Sequence, residues 1–336
     1  MRILVLMGGS SPEKMVSLES GEAVAQGLDQ KGHQVIKTDP AMPEKTYTIL
    51  EKMHSGPIGE IPQGEIVPLG QEKIIDFLQN MKKYAVDLVF PMLHGGWGEN
   101  GGIQALFEIA GIPFAGSGAA ASGLAMDKHL SKRIVSTEGI LTPEYVFVPQ
   151  TSIDKIPLIC QEFGYPLVVK PNSSGSSVGL SIVQSKSELD KAIELAAAEK
   201  DDVLIERYIP GRELTVGVLD GQGLSVVEII PQSGLYDYKH KYTSGNTEYI
   251  CPADISSILT QQCIHQASLA FQLLGCEVFG RVDFRLGEDG KLYFLEVNTL
   301  PGMTEHSLVP KAAAAVGLNF PELVNRIAII SMNLKR

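Results

Sequence analysis

Residues 278–303, VFGRVDFRLGEDGKLYFLEVNTLPGM, set Arg281, Asp283, Glu296 and Asn298 among Val, Phe and Leu. Two apolar runs around a polar Gly-Glu-Asp-Gly turn predict a β-hairpin. Strand alternation puts Arg281 with Asp283 on one face of the first strand, and Glu296 with Asn298 on one face of the second. Carboxylate and amide oxygens are hard ligands, the type magnesium takes when it is shared with nucleotide phosphates. Buried without partners, such ions would be costly, so something must pair with them. A metal with its phosphates is one possibility and an internal salt bridge from Arg281 to a carboxylate is the other; these residues alone leave both open.

Two further segments bear on that choice. KPNSSGSSVGLS, residues 170–181, follows a strand-end lysine with small residues. Their backbone amides can approach phosphate oxygens closely while Lys170 supplies charge, although the pattern is not a Walker loop and equally suits a mobile hairpin. In LIERYIPGRELTV, residues 204–216, Glu206 ends one apolar strand and Glu213 begins the next after a Pro-Gly turn. That leaves two acceptors and turn backbone at a cleft edge suited to a purine and a ribose, or else a solvated turn with charged flanks.

The elements that must position these residues alternate at first. RILVLM reads as a strand, MVSLESGEAVAQGLDQKG as a helix and HQVIKTD as a second strand, an α/β unit with a parallel sheet. Residues 41–79 lose the pattern among Pro and Gly and read as a surface excursion before VDLVFPML resumes as a strand. After HGGWGENG a helix is expected, then a short strand at IPFAG and one helix through AMDKHLSKRIVSTEG. YPLVVKP and GLSIVQS form a strand pair, and SELDKAIELAAAE a helix capped by Ser187. DVLIERYI, ELTVGVLDG and GLSVVEIIP continue as strands. A polar loop spans residues 232–246, a helix runs near 258–274, and after the hairpin a final helix starts at Phe320.

Composition narrows the function. With 336 residues, 44% of them hydrophobic, the chain can bury a large core in two or three domains. A formal charge of −11 argues against broad contact with nucleic acid or an anionic membrane, so an anionic ligand must be held by local basic groups. The uncharged run 109–126 is broken by glycines and a proline and does not read as a membrane span. The apolar start is too short for a secretory signal, and a cytoplasmic protein is expected. Cys160, Cys251, Cys263 and Cys276 lack metal-binding spacing and are expected as reduced thiols.

The order and spacing of VVKP, the Gly/Ser loop, LIERYIPGRELTV, GRVDF and FLEVNTLPGMTEHS resemble the ATP-grasp superfamily, and within it the D-alanine–D-alanine ligase family. The likeness extends from GGSSPEKMVSLESG to HSLVPKAAAAVGLNFPELV and weakens between residues 41 and 79. It implies an α/β three-domain ATP-grasp fold: a Rossmann-like parallel α/β substrate domain (1–116), then a central domain (117–206) and a C-terminal catalytic domain (207–336), both α+β, holding ATP between them. By the same resemblance Lys128 and Lys170 contact the ATP phosphates, and Glu206 with the backbone of Arg207 and Ile209 receives adenine. Glu213 takes the ribose, and Lys241 reaches the γ-phosphate. Asp283, Glu296 and Asn298 would bind two Mg2+ ions, with Mn2+ as a substitute. Glu13 and His94 would lie by the first D-alanine, with Ser176 and Tyr242 hydrogen-bonded to Glu13. Ser307, capping the helix after MTEH, would hold the second substrate's carboxylate, and Arg281 with the Gly302 amide the oxyanion.

Three positions depart from the family pattern: Met15 and Asn100 each replace an acidic residue, and Arg207 replaces a lysine. The alternatives are a sister ligase with D-serine or D-lactate as second substrate, D-lactate being disfavoured by Tyr242, and a non-catalytic ATP-binding regulatory protein, disfavoured by retention of Arg281. The resemblance also implies a homodimer formed through the N-terminal domain. His33, His54, His129, His240 and His265 are expected to be structural or on the surface, and Trp97 to pack at a domain junction, while His306 neighbours the site.

Overall fold

The structure is a computed structural model and describes residues 1–53, 71–152, 163–176, 178–231 and 247–334. The first sheet contains β1 (Arg2–Leu6), β2 (Gln34–Thr38), β3 (Tyr47–Thr48) and β4 (Leu88–Pro91), in the order β3-β2-β1-β4. β1 pairs in parallel with β2 and β4, and the short edge strand β3 runs antiparallel. Both faces of β1 are buried, as a parallel strand requires. Ile3 and Val5 enter a core shared with helix α1 (Lys14–Gln30) and with residues 309–328. Leu4 and Leu6 enter the opposite core with helices α2 (Gln71–Tyr84) and α3 (Gly102–Ala110).

Here the structure departs from the sequence expectation. Helix α2 begins within the stretch assigned to a surface excursion, and its Phe77 and Met81, one turn apart, are buried in that second core. IPFAG forms only a single bridge, Val89 to Phe114, and no strand. Trp97 packs beside Leu93 and Phe107 in the core of the first sheet, not at a domain junction. The single helix expected through AMDKHLSKRIVSTEG is two, α4 (Ala119–Met126) and α5 (Lys128–Ser136). Asp127 breaks them because its carboxylate accepts from the Leu130 amide, which starts a new helix there.

The second sheet is antiparallel, built from β5 (Tyr145–Val148), β6 (Leu167–Pro171), β7 (Ser181–Val183) and β8 (Val203–Arg207) in the order β5-β8-β6-β7. Leu167, Val169, Val203 and Ile205 pack on helix α6 (Lys186–Ala197). That helix starts two residues earlier than expected, with Ser185 and not Ser187 at its N-cap. Alternation turns Val168, Lys170 and Glu206 to the other face.

The third sheet, also antiparallel, has the order β11-β10-β9-β12-β13, with β9 (Gly211–Leu219), β10 (Gln222–Pro231), β11 (Thr247–Ile250), β12 (Phe279–Gly287) and β13 (Leu292–Asn298). Leu214, Val216, Val282 and Phe284 pack on helix α7 (Ser257–Leu273) together with residues of α4 and α5. Glu213, Thr215, Arg281, Asp283 and Arg285 alternate onto the opposite face. Helices α8 (Leu308–Ala315) and α9 (Phe320–Asn333) close the chain, with Val309, Leu323 and Ile327 in the core of the first sheet. Among the described residues no single helix is long and apolar enough to cross a membrane.

Candidate active site

The polar faces of the two antiparallel sheets line one cleft. Its walls include Lys128, Val168, Lys170, Gly175, Ser176, Glu206, Arg207, Ile209, Glu213, Arg281, Asp283 and Glu296. Its volume, about 1020 Å³ with the solvent-open mouth included, suits a nucleotide-sized ligand. A charged lining is tolerable only because each group has a partner.

One wall is anchored by Lys170, near the end of β6. Its Nζ lies 2.9 Å from Glu206 Oε2, and the other oxygen of that carboxylate is 3.2 Å from Lys132 Nζ on α5. Glu206 and Lys132 are 2% and 1% exposed. Burial raises the Glu206 carboxyl, but the two ammonium groups outweigh it and hold it below its ordinary value. Burial brings Lys132 down to about 8 despite Glu206.

Lys128 donates to the Ser174 carbonyl at 2.8 Å and lies 3.2 Å from Glu296 Oε2, so one lysine joins the Gly/Ser loop to the hairpin. Asn172 fastens the loop to α5: its backbone carbonyl accepts from the Lys128 amide at 3.2 Å and its side-chain oxygen from the His129 amide at 2.8 Å.

At the far end Glu213 pairs in register with Arg285 across β9 and β12, 3.4 Å from its Nη1. Arg285 also donates from Nε to the Ile209 carbonyl at 3.0 Å and from Nη2 to the Tyr208 hydroxyl at 3.1 Å. Gly211, at φ +140°, lets this linker run tight against β12, since an added Cβ would stand 2.0 Å from the Leu286 carbonyl oxygen. The Arg207 side chain is partly exposed and pairs with Glu144, 2.9 Å from its carboxylate.

In the hairpin Asp283 stands opposite Glu296, and Arg281 opposite Asn298. The register shifts after Asp283, where Phe284 pairs with Phe294, so Leu295 is extra. That bulge lets neighbouring Leu295 and Glu296 both reach the cleft. Arg281 holds Asp283 with both Nε (2.9 Å) and Nη2 (2.8 Å), and the Thr215 hydroxyl donates to the same carboxylate at 2.6 Å. The salt-bridge alternative is therefore realised, with Asp283 as its acid.

Among the described residues no three His, Cys, Asp or Glu side chains converge as a protein-only metal cage. Two facing carboxylates, Asp283 held by Arg281 and Glu296 beside Lys128, fit magnesium, which takes one or two carboxylates and completes its shell with phosphates and water. Asn298 Oδ1 accepts from the Leu300 amide at 2.9 Å, which fixes the amide at the end of β13.

Glu13, at the N-cap of α1 and 8% exposed, accepts a hydrogen bond from Ser176 Oγ, as expected. Ser176 sits at φ +49°, a left-handed conformation uncommon for a side-chain-bearing residue. His94 is 4% exposed, with Nδ1 3.6 Å from Glu99 Oε1. Its Nε2 is buried without a hydrogen-bond partner among the described residues. Burial lowers the His94 pKa, but contact with Glu99 and the charges of Glu99 and Glu13 carry it above the ordinary value. An added Cβ on Gly175 would stand 3.9 Å from both Glu13 and Glu99, so this acidic corner meets the Gly/Ser loop.

Ser307 occupies the N-cap of α8, but its hydroxyl accepts from the Thr304 amide at 3.0 Å and does not cap the helix. Gly302 lies beside it, since an added Cβ would be 3.3 Å from Ser307 Oγ. Met303 donates to Ser20 Oγ of α1 at 3.1 Å and ties this loop to the first sheet's helix. Lys241 and Tyr242 lie outside the described residues, as do His54, Cys160, Ser177 and His240.

Sequence reasoning missed Lys132, Asn172 and Arg285. Of these only Asn172 left a signal, its place between Lys170 and the Gly/Ser loop; the other two are recognisable only by the residues they meet.

Comparison with known proteins agrees with this geometry. The family model described as D-ala D-ala ligase N-terminus matches residues 2–117, and that for the D-ala D-ala ligase C-terminus matches residues 134–329. A D-alanine–D-alanine ligase of Syntrophotalea carbinolica is 41% identical over 327 residues, covering 97% of this chain and 94% of that protein. One of Geobacter sulfurreducens is 39% identical over 335 residues, covering 99% and 95%. Among solved structures, the D-alanine–D-alanine ligase of Bacillus anthracis complexed with ATP superposes with a TM-score of 0.78 at 31% identity, covering 99% of this chain and 97% of that one. The VanG D-Ala:D-Ser ligase of Enterococcus faecalis gives 0.76 at 30% identity, covering 98% and 99%. With both halves matched and the relatives spanned nearly end to end, the chain belongs to the D-alanine–D-alanine ligase family, on the ATP-grasp fold.

Proposed function

We propose that this protein is an ATP-dependent ligase that joins two D-alanines into D-alanyl-D-alanine, releasing ADP and phosphate, for peptidoglycan precursor synthesis. The observation that carries it is the meeting, in one cleft, of Lys128, Lys170, Glu206 and Glu213 with Arg281, Asp283 and Glu296. Nucleotide binding alone does not call for an arginine beside the acidic hairpin, whereas acyl transfer does.

A carboxylate is a poor electrophile and must be activated. A carboxylate oxygen of the first D-alanine attacks the γ-phosphorus of ATP, the bond to the β-phosphate oxygen breaks, and ADP leaves with D-alanyl phosphate formed. Lys128 and Lys170 offset the phosphate charge. Adenine meets the Arg207–Ile209 backbone, where the Ile209 carbonyl is already held by Arg285, and the ribose meets Glu213. Asp283, Glu296 and Asn298 are the residues to hold two magnesium ions, or manganese, which would neutralise charge on the transferring phosphoryl group.

The amine of the second D-alanine then attacks the acyl carbon. Its carboxylate is directed by Ser307, and the oxyanion meets Arg281 and the Gly302 amide, each such donor being worth about 3 kcal/mol. Collapse breaks the carbon–oxygen bond, phosphate departs, and the nitrogen gives up a proton. Glu13, steadied by Ser176, and His94 orient the first D-alanine.

The same proposal takes residues 1–116, 117–206 and 207–336 as the three domains. It places a homodimer in the cytoplasm, working without nucleic acid or a membrane. The test is incubation with ATP, magnesium and a panel of D-alanine, D-serine, D-lactate and L-alanine, following phosphate release and product mass. D-alanyl-D-alanine as the main product is expected. A mixed D-alanyl-D-serine or D-alanyl-D-lactate product, or phosphate release without any condensation, would overturn it.

A further inference from the structure

Lys132 is a buried cation that the proposed chemistry does not use. It lies one helical turn beyond Lys128 on α5, so both project from the same side of that helix. Lys128 reaches the cleft, whereas Lys132 stops behind its wall. Its Nζ is 3.2 Å from Glu206 Oε1, 3.3 Å from the Phe294 carbonyl oxygen and 6.0 Å from the centre of the Tyr145 ring.

The Glu206 carboxylate thus has a different lysine on each oxygen, Lys132 on the buried side and Lys170 on the cleft side. This matters for what Lys170 can do. If Lys170 were the only counter-ion of a carboxylate 2% exposed, moving its ammonium onto a ligand would strand a buried charge. With Lys132 fixed on the other oxygen, Glu206 keeps a partner when Lys170 moves.

We infer that Lys132 is a positioning residue: by neutralising Glu206 from behind, it releases the Lys170 ammonium to serve a phosphate in the cleft. The inference rests on the proposed binding of ATP there, and it concerns phosphate recognition and not adenine. Titration calorimetry with ATP and with adenosine separates the two. The variants are Lys132→Met, which keeps the length and loses the charge, and Lys132→Met combined with Glu206→Gln, which removes the carboxylate's claim on Lys170.

The readout is the ratio of ATP affinity to adenosine affinity. In Lys132→Met it should fall about tenfold or more, and in the double variant it should return to within about threefold of wild type. A role confined to packing would weaken both ligands together and would not be rescued by a second substitution. An unchanged ratio in Lys132→Met, or a loss that persists in the double variant, overturns the inference. Should Lys132→Met fail to fold, Lys132→Gln takes its place: a ratio about tenfold below wild type supports the inference and an unchanged ratio refutes it. Wild-type protein that binds neither ligand would instead overturn the nucleotide site itself, and the role of Lys132 with it.

Discussion

Replacing Arg281 by Met separates the chemistry of the arginine from its structural duty. In the structure its guanidinium makes two close contacts to Asp283, and both side chains are about one-tenth exposed, 12% and 11%. Breaking a fully buried ion pair costs roughly 3–5 kcal/mol, but Asp283 keeps the Thr215 hydroxyl at 2.6 Å and some solvent, so about 2–3 kcal/mol is expected here. For a chain of this size that lowers Tm by several degrees and leaves the protein folded at 25 °C. Loss of an oxyanion donor, by contrast, should reduce kcat about 10²–10³-fold. Arg281 is ion-paired with Asp283, which is assigned to neither the base nor the ribose, so KM for ATP should stay within about threefold. Coupled ADP release at saturating D-alanine measures kcat and KM, and calorimetry measures the stability. Equal losses in kcat and in ATP affinity would refute the assignment and make Arg281 a structural partner of Asp283 only.

Three further outcomes are expected. Ser176→Ala removes the hydroxyl that donates to Glu13, a hydrogen bond to a charged group, and should raise KM for D-alanine about tenfold with KM for ATP unchanged; a matching rise for ATP would refute a role confined to the D-alanine pocket. NMR titration should find the His94 pKa above about 6.5, falling in Glu99→Gln; because the folded value is raised, the stability His94 adds over His94→Gln is fully present below about pH 6.5 and is lost as pH rises through the folded pKa, and a difference that grows with pH would contradict this. Phe77→Ala, at a position with no exposure, should cost about 3–5 kcal/mol by denaturant unfolding while leaving both KM values unchanged.

The parts legible in the sequence are those where a local period carries the signal. Alternation in GRVDF and FLEVN put Arg281 with Asp283 on one face and Glu296 with Asn298 on one face, while the pairing of Asp283 with Glu296 and of Arg281 with Asn298 comes from the register of the two strands. The bulge at Leu295 was not legible, because it is a property of the pairing and not of either strand. Helix α2 was obscured because Pro and Gly precede it, yet Phe77, Leu78 and Met81 have helical spacing and pack in the second core, with Leu4 and Leu6. The break at Asp127 lies between two helix-forming stretches, and a cap there competes with continuing the helix by only about 1 kcal/mol, so pattern alone cannot settle it. Lys132 and Arg285 could not be ranked from sequence at all, whereas Asn172 was marked only by its place between Lys170 and the Gly/Ser loop. Lys132 looks like an ordinary surface lysine of an amphipathic helix until Glu206, from a different sheet, is seen to bury it.

The most direct measurement follows an oxygen atom. If the first D-alanine is activated as an acyl phosphate, one of its carboxylate oxygens forms the new bond to phosphorus and leaves with it when the second D-alanine's amine displaces phosphate. D-alanine labelled with 18O in the carboxylate, turned over with unlabelled ATP and magnesium, should give inorganic phosphate carrying one 18O for each D-alanyl-D-alanine formed, read by mass spectrometry or 31P NMR. Phosphate released without label, alongside dipeptide, would contradict carboxylate phosphorylation and with it the roles given to the cleft's lysines and to Arg281.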